Sequence, residues 1–391
     1  MDYIQQFIGT PVDFTVDFII PFFLVLSVLV FVHEWGHFYV ARLCGVRVET
    51  FSIGFGREIF GFTDKKGTRW KFSILPLGGY VKMYGDQDPS SFGADEEARE
   101  KFSEADKKET FFNKSVAKRS AIVAAGPAVN FIFAILILTC LYTFMGQPQT
   151  PPVAGGVMEG GAAEEAGIQP DDRILAIDGN KIDSFQDIQK AVALKLDQEL
   201  TLTIERGDEN KEKFDLVMTP KKVINEDRFG FKHSRGLIGI SSVDGFEMKE
   251  FSLGSAFVAA SVETWDITVG TLEAIGQIIT GARGTEELGG VIRIGALAGE
   301  YAQLGFVSFV TFAALLSINL GLLNLFPIPM LDGGHLVFYA FEAVKGKPLS
   351  ERAQEYFFRF GFACVMALMI FATVNDLVQL NVFEYLAGLV S

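Results

Sequence analysis

His33-Glu34-Trp35-Gly36-His37 lies near the end of an apolar run that extends from about Phe18 to Ala41. On a helix, His33 and His37 at i and i+4 leave the same face, so their imidazoles can share a zinc ion. Glu34 lies beside them, placed to polarise a water. The setting sharpens this reading, because two histidines and a glutamate in a hydrocarbon-facing segment cost on the order of several kcal/mol unless paired or metal-bound. A second apolar run closes on Leu331-Asp332-Gly333-Gly334-His335, where Asp332 and His335 are each able to complete a metal site.

The surrounding chain has 391 residues, 49% of them hydrophobic and 21% charged. Apolar spans alternating with aqueous segments account for that mixture, as in a polytopic membrane protein with a sizeable water-exposed domain. A formal charge of −14, with no long basic stretch interleaved with aromatics, argues against a nucleic-acid partner. Cys44, Cys140 and Cys364 are odd in number and scattered, so they are read as packing residues and not as a disulfide framework or a cysteine-based zinc knuckle.

Four segments are long and apolar enough to span: about Phe18 to Ala41, Ser120 to Met145, Gln303 to Phe326, and Tyr356 to Leu377. The first has no basic n-region and carries the histidine motif, so it is expected to be retained and not cleaved as a signal. Arg42, Arg47, Lys118 and Arg119 flank the first loop and Lys345, Lys347 and Arg352 the last, whereas 1–17 and 374–391 contain no Lys or Arg. Both termini are therefore expected outside. On that topology the first and third spans end on the same side, and the two motifs can meet. Since a helix rises about 1.5 Å per residue, the metal would lie roughly 6 to 12 Å below the cytoplasmic boundary, reached by water only through a protein-lined cavity.

Four stretches carry a more specific signal: the histidine motif, Pro76-Leu77-Gly78-Gly79-Tyr80-Val81-Lys82-Met83, Ala125-Gly126-Pro127-Ala128-Val129-Asn130, and Asn324-Leu325-Phe326-Pro327-Ile328-Pro329-Met330-Leu331-Asp332-Gly333-Gly334-His335. In that order they resemble the bacterial site-2 proteases of the RseP type (regulator of sigma-E protease), intramembrane zinc metalloproteases, over nearly the whole length. The resemblance implies zinc ligands His33, His37 and Asp332, with Glu34 as general base, and a Zn2+ cofactor. The donor set agrees, because catalytic zinc keeps three protein ligands and one open position, and a carboxylate is a normal third ligand. His335 remains the rival ligand, and His233 a weaker one. Asn319 and Asn324 are candidates for stabilising the oxyanion, with helix-to-helix hydrogen bonding as the alternative.

Phe51-Ser52-Ile53-Gly54-Phe55-Gly56 and Arg69-Trp70-Lys71-Phe72-Ser73-Ile74 read as strands joined by a turn at Asp64-Lys65-Lys66-Gly67. The resemblance assigns Gly54, Phe55 and Gly56 to a membrane-reentrant sheet, whose edge could bind an unwound substrate helix by strand addition. About Thr150 to Lys222 resembles a bacterial protease PDZ domain in single copy, with Asp171 at a position where glycine is usual. That domain would either bind peptides at Val153 to Met158 or act as a filter against bulky outer domains, and the filter is preferred. Val258, Val262, Trp265, Val269, Leu272, Gly276 and Ile279 form one helical stripe, read as an interfacial helix with a packed soluble helix as the alternative. Residues 86–110 read as a solvated cytoplasmic loop with some helix.

The expected fold is thus a polytopic α-helical membrane protein of about four transmembrane helices, with a membrane-associated β-sheet and an inserted α+β PDZ domain. Its parts are a first transmembrane helix in 1–50, a cytoplasmic and membrane-reentrant β region with a polar loop in 51–117, and a second transmembrane helix in 118–146. A periplasmic PDZ domain follows in 150–222, a periplasmic segment with the interfacial helix in 223–300, a third transmembrane helix carrying the Asp332 motif in 303–341, and a fourth in 355–380. The resemblance implies hydrolysis of peptide bonds in the membrane spans of single-pass proteins, such as anti-sigma factors and signal-peptide remnants, in the bacterial inner membrane. Expected partners are membrane-spanning substrates and the lipid bilayer. A noncatalytic scaffold holding client helices through the PDZ domain is the alternative. An ion transporter using the buried acids is a third class.

Overall fold

The computed structural model describes residues 15–85, 102–207 and 211–383. Four helices are long and apolar enough to cross a membrane: Val16–Leu43, Val116–Met145, Phe306–Asn324 and Arg352–Gln379. They coincide with the four apolar runs in the sequence. Among the described residues two compact units emerge, one built from 15–138 with Gly290–Thr373, the other from Thr139–Gly289 with 374–383.

The first unit holds both motifs. A π-helical turn over Thr15–Ile19 leads into α1 (Ile20–Leu43), which has Pro21 in its first turn. Its N-terminal half buries Val25 and Leu29 against Ala298 and Phe312. Its second half buries Phe38 and Ala41 against a sheet made of β1 (Val48–Thr63) and β2 (Arg69–Met83). Both strands are longer than the sequence reading, because Pro76 to Met83 continues as strand. Gly54 and Gly56 adopt φ of +88° and +87°, backbone that a side chain disfavours, and this lets β1 bend. The bend brings Phe51 opposite Val81 on one side and Trp70 on the other, and Ile53 opposite Gly79 and Phe72. Gly79–Met83 therefore forms an outer strand of the folded ribbon. The far arm, with Thr63 opposite Arg69 and Glu58 opposite Ser73, leaves Ile59, Phe60, Ile74 and Leu75 exposed.

α2 (Val116–Met145) crosses α1 where both offer small residues: a Cβ on Gly36 would stand 2.5 Å from the Ala125 carbonyl oxygen. Residues 86–101 of the expected polar loop lie outside the described residues, and its remainder contains one helical turn, Glu104–Lys107.

In the second unit a four-stranded antiparallel sheet runs in the spatial order Asn180–Lys181, Arg173–Ile177, Leu200–Arg206, Glu212–Met218. Ser184 and Asp187 form a capping box that starts the helix Phe185–Ala193, whose Phe185, Ile188 and Val192 join Ile174, Leu202 and Ile204 in one core. Ile238 closes the same core, and Ile240–Ser242 pairs with Ala154–Val157, so this fold continues past Lys222. The pairing also bears on Val153 to Met158 as a docking strand. One edge is taken by Ile240–Ser242, and on the other edge the Ala154 amide and carbonyl bond to Asp172 and Asp171, so an added strand finds that edge closed at Ala154. Asp171 has φ +69°, a conformation Asp tolerates better than most side chains and one that explains glycine as the usual choice. α3 (Leu253–Thr280) is the striped helix. Ala256, Ala260, Thr264 and Gln277 are buried, Glu263 pairs with Lys190 at 2.6 Å, and Val258, Val262, Trp265 and Ile279 are exposed.

Back in the first unit, Gly305 at φ +111° separates α4 (Val291–Gln303) from α5 (Phe306–Asn324). Within the region 303–341, the third span read as Gln303 to Phe326 ends at Asn324, and the Asp332 motif lies on a separate helix. α5 stops at Asn324, Pro327 and Pro329 follow without amides to continue it, Met330 takes φ +91°, and α6 begins anew over Asp332–Lys345. An Arg119–Glu342 ion pair of 2.6 Å, with both side chains largely buried, ties α6 to α2. α7 (Glu351–Gln379) packs close to the loop, since a Cβ on Gly361 would stand 2.1 Å from the Pro329 carbonyl oxygen.

The sheet is pinned to the end of α1 by one acid. Asp64 accepts from Arg42, from the Trp70 indole at 3.2 Å, and from the amides of Lys66 at 2.8 Å and Thr68 at 3.1 Å. Desolvation alone would raise its pKa, but the Arg42 guanidinium, the indole and the amides outweigh it and hold it at about 2. A carboxylate depressed in the folded state stabilises fully above its unfolded value, near 3.9, and that contribution disappears as pH falls through about 2. In a variant with Trp35 and Trp265 changed to Phe, Trp70 emission should therefore hold steady above about pH 5 and shift between pH 4 and 2. Asp64→Asn should abolish that transition.

Candidate metal centre

α1 sets His33 and His37 one turn apart, with their Nε2 atoms 3.1 Å from each other. α6 opens with Asp332, whose Oδ2 lies 3.2 Å from His33 Nε2 and 3.5 Å from His37 Nε2. The start of a helix favours a carboxylate through the exposed amide dipoles of its first turn. Among the described residues these three form a cluster of metal-ligating atoms, all within 4.8 Å of one another. Asp332 Oδ2 is buried and accepts no hydrogen bond. Ligands about 2.1 Å from a tetrahedral zinc stand about 3.4 Å apart, so the three spacings fit a zinc held by two imidazoles and a carboxylate.

The outward nitrogens explain why both Nε2 atoms face inward. His37 Nδ1 lies 2.9 Å from the Ile122 carbonyl, so it donates its proton there and leaves Nε2 with a lone pair. His33 Nδ1 lies 3.1 Å from the Asn130 amide. Ile122, Gly126 and Asn130 succeed each other at intervals of four on α2 and so share one face. Gly126 gives the rings their room: a Cβ there would stand 2.3 Å from His37 Nε2 and 2.9 Å from His33 Cε1. The Asp332 loop needs glycine for the same reason. A Cβ on Gly333 would meet the Leu325 carbonyl oxygen at 2.2 Å, and one on Gly334 the Ile328 oxygen at 2.4 Å.

A cavity of about 190 Å³ opens beside the three atoms, lined by Glu34, Asn324 and Met330 and by the strand residues Gly79, Tyr80, Val81 and Met83. Glu34 is thus adjacent to the donor set, with the Val81 backbone hydrogen-bonded to its carboxylate. Of the two amides singled out from the sequence, Asn324 borders the cavity and Asn319 does not. Gly54, Phe55 and Gly56 sit at the bend of β1 and do not line it; Phe55 reaches it only by stacking on Tyr80, with ring centres 6.1 Å apart. His335 borders the cavity but stays outside the converging trio, its ring packed against Phe358 at 5.1 Å. His233 lies on the strand Lys232–Leu237 of the other unit. The sequence reading gave no role to Asn130, Gly126 or the Gly79–Met83 strand. The four-residue spacing of Ile122, Gly126 and Asn130 was the available signal.

The model of peptidase family M50 matches residues 21–368, which span all of these elements. The chain belongs to peptidase family M50. A relative from Agrobacterium fabrum, assigned as a zinc metalloprotease, is 45% identical over 370 residues, covering 94% of this chain and 97% of its own. Metalloprotease MmpA of Caulobacter vibrioides is 36% identical over 392 residues, covering 95% and 98%. A relative assigned the same way in Rickettsia conorii is 38% identical over 365 residues, covering 93% and 99%. Membership makes this chain a zinc-dependent metalloprotease of a membrane-embedded family, and the four apolar helices agree with that setting.

Gly126→Ala places a methyl group where the His37 ring must lie, while the Ile122 bond holds that ring in place. Metal analysis of the purified variant should show zinc affinity reduced by on the order of 10- to 100-fold or more, with expression in the membrane unchanged.

Proposed function

We propose that this chain is an intramembrane site-2 metalloprotease that hydrolyses peptide bonds within the membrane spans of single-pass proteins, anti-sigma factors and signal-peptide remnants among them. The observation that carries the reading is the convergence of His33 Nε2, His37 Nε2 and Asp332 Oδ2 beside Glu34, with both histidines and Glu34 on a helix long and apolar enough to span. His33, His37 and Asp332 would hold the zinc, which when bound would supply a Lewis acid able to make water nucleophilic near neutral pH. Glu34 removes one proton from the attacking water as its oxygen bonds to the peptide carbonyl carbon. When the C–N bond breaks, Glu34 delivers that proton to the departing amine, so the acid keeps the water oxygen and the amine gains the hydrogen. Asn324 is the cavity amide available to donate to the carbonyl oxygen as it becomes anionic.

A membrane helix hides its backbone in its own hydrogen bonds and must open before it can be cut. Gly79–Met83 offers the opened segment a strand to pair with. Its Tyr80 and Lys82 lie opposite Ser52 and Thr50, and the Val81 amide turns the other way, toward Glu34. Alternation along a strand turns Gly79 and Met83 the same way as Val81, so an added strand would run past the donor set. The exposed Ile59, Phe60, Ile74 and Leu75 suit a sheet that sits in an apolar medium.

Localisation in the bacterial inner membrane, with both termini and the PDZ-type domain of 150–222 facing the periplasm, is read from the charge distribution and the family. The paired edges of Val153–Val157 favour the filter role over strand addition at that site. α3, with its apolar stripe outward, suits the outer membrane surface.

Glu34→Gln should keep zinc and lose cleavage of a model transmembrane substrate by about 10²- to 10⁴-fold, whereas Asp332→Ala should lose both. Cleavage that survives Glu34→Gln contradicts the assignment. Fusing a tightly folded domain to the outer end of the same substrate should slow cleavage by the whole protein, and equal rates for both substrates would exclude the filter.

A further inference from the structure

The Asn130 amide nitrogen stands 3.1 Å from His33 Nδ1, while its amide oxygen is buried without a partner. The side chain is wholly inaccessible to solvent. A neutral imidazole carries one proton. If Nδ1 accepts from Asn130, the proton sits on Nε2, which then cannot bind a metal. That tautomer would aim an N–H at a site where His37 Nε2 and Asp332 Oδ2 also converge, 3.1 and 3.2 Å away. A half-turn of the amide exchanges its oxygen and nitrogen in nearly the same volume. The oxygen then accepts the His33 Nδ1 proton, and Nε2 is freed as a donor atom.

We propose that Asn130 is a positioning residue for the metal site: its side-chain oxygen accepts the His33 Nδ1 proton and thereby fixes the imidazole in the tautomer that offers Nε2 to zinc. The inference rests on the reading of His33 as a zinc ligand and deepens it. The Ile122 carbonyl does the same for His37 at 2.9 Å, so α2 serves both histidines, once with its backbone and once with a side chain. The placement of Asn130 is itself secured, because Ser317 Oγ on α5 donates to the Asn130 carbonyl at 2.9 Å in a buried contact. Three helices therefore agree on one proton: α1 carries it, α2 accepts it and α5 holds the acceptor still.

The test is zinc affinity, measured by chelator competition on the full chain in detergent for the unsubstituted protein, Asn130→Asp, Asn130→Leu and Asn130→Ala. Thermal unfolding of the zinc-stripped forms controls for folding. Asp keeps an acceptor for the Nδ1 proton, Leu keeps the volume without one, and Ala removes the amide without adding apolar bulk. The expected result is zinc binding within a few-fold of the original for Asp, and weakening on the order of 10- to 100-fold for Leu and Ala. Retention of zinc by Leu would show that Asn130 only fills space, and loss with Asp equal to that with Leu would show that an acceptor is not what His33 needs. Either result overturns the proposal. If His33→Ala leaves zinc binding unchanged, the metal-site reading itself fails and takes the proposal with it, an outcome distinct from the other two.

Discussion

Two imidazole nitrogens and a carboxylate oxygen, each presenting a lone pair, are held within 3.5 Å of one another in a mostly buried place. Like-polarity atoms do not stay so close in a low-dielectric setting unless a proton or a metal ion lies among them, and that requirement organises the rest of the unit. It dictates that the outer ring nitrogens find acceptors, which α2 supplies. It dictates that nothing larger than hydrogen stand at position 126. It also dictates that a second helix begin at Asp332, so that the carboxylate arrives at a helix start and not along its side.

Holding these atoms in register falls to contacts remote from them. α1 is fixed to the sheet by Phe38, Phe51 and Trp70, whose rings lie 4.5 to 5.4 Å apart, and by the Arg42–Asp64 anchor one turn beyond the histidines. α6 is fixed to α2 by the Arg119–Glu342 pair. A buried pair of this kind contributes less to net stability than to choosing one arrangement over its neighbours, since desolvation offsets much of the attraction. Here the chosen arrangement puts Asp332 opposite the two histidines. The same sheet that steadies α1 also brings Gly79–Met83 past the cavity, so positioning of the ligands and access for an extended chain are served by one structure.

Much of this was legible in the residues. The apolar runs gave all four long helices, because length and hydropathy suffice for a span. His33, Glu34 and His37 came from spacing and residue type and Asp332 from the family resemblance, and the structure brings them to one place. The break between α5 and α6 falls where the apolar span was read to end at Phe326, ahead of Pro327 and Pro329, but the new helix that begins at Asp332 was not read. The extension of β2 through Pro76 and three residues of the Gly78-Gly79-Tyr80 stretch was hidden by breakers that here serve a bend. The closure of the second unit by Ile238 and Ile240–Ser242 depends on pairing across more than eighty positions, which no local pattern announces. Asn130 could be seen as costly in an apolar span, yet its partner, 97 residues away, could not be named without the crossing of α1 and α2.

X-ray absorption at the zinc edge of the full chain tests the central claim most directly, because it reads the ligands of the metal without reference to any substrate. The account predicts one zinc per chain with two imidazole nitrogens and one or two oxygens at about 2.0 to 2.2 Å, and no sulfur. A sulfur scatterer, a third imidazole in place of the carboxylate, or a protein that folds and cleaves without zinc would contradict it.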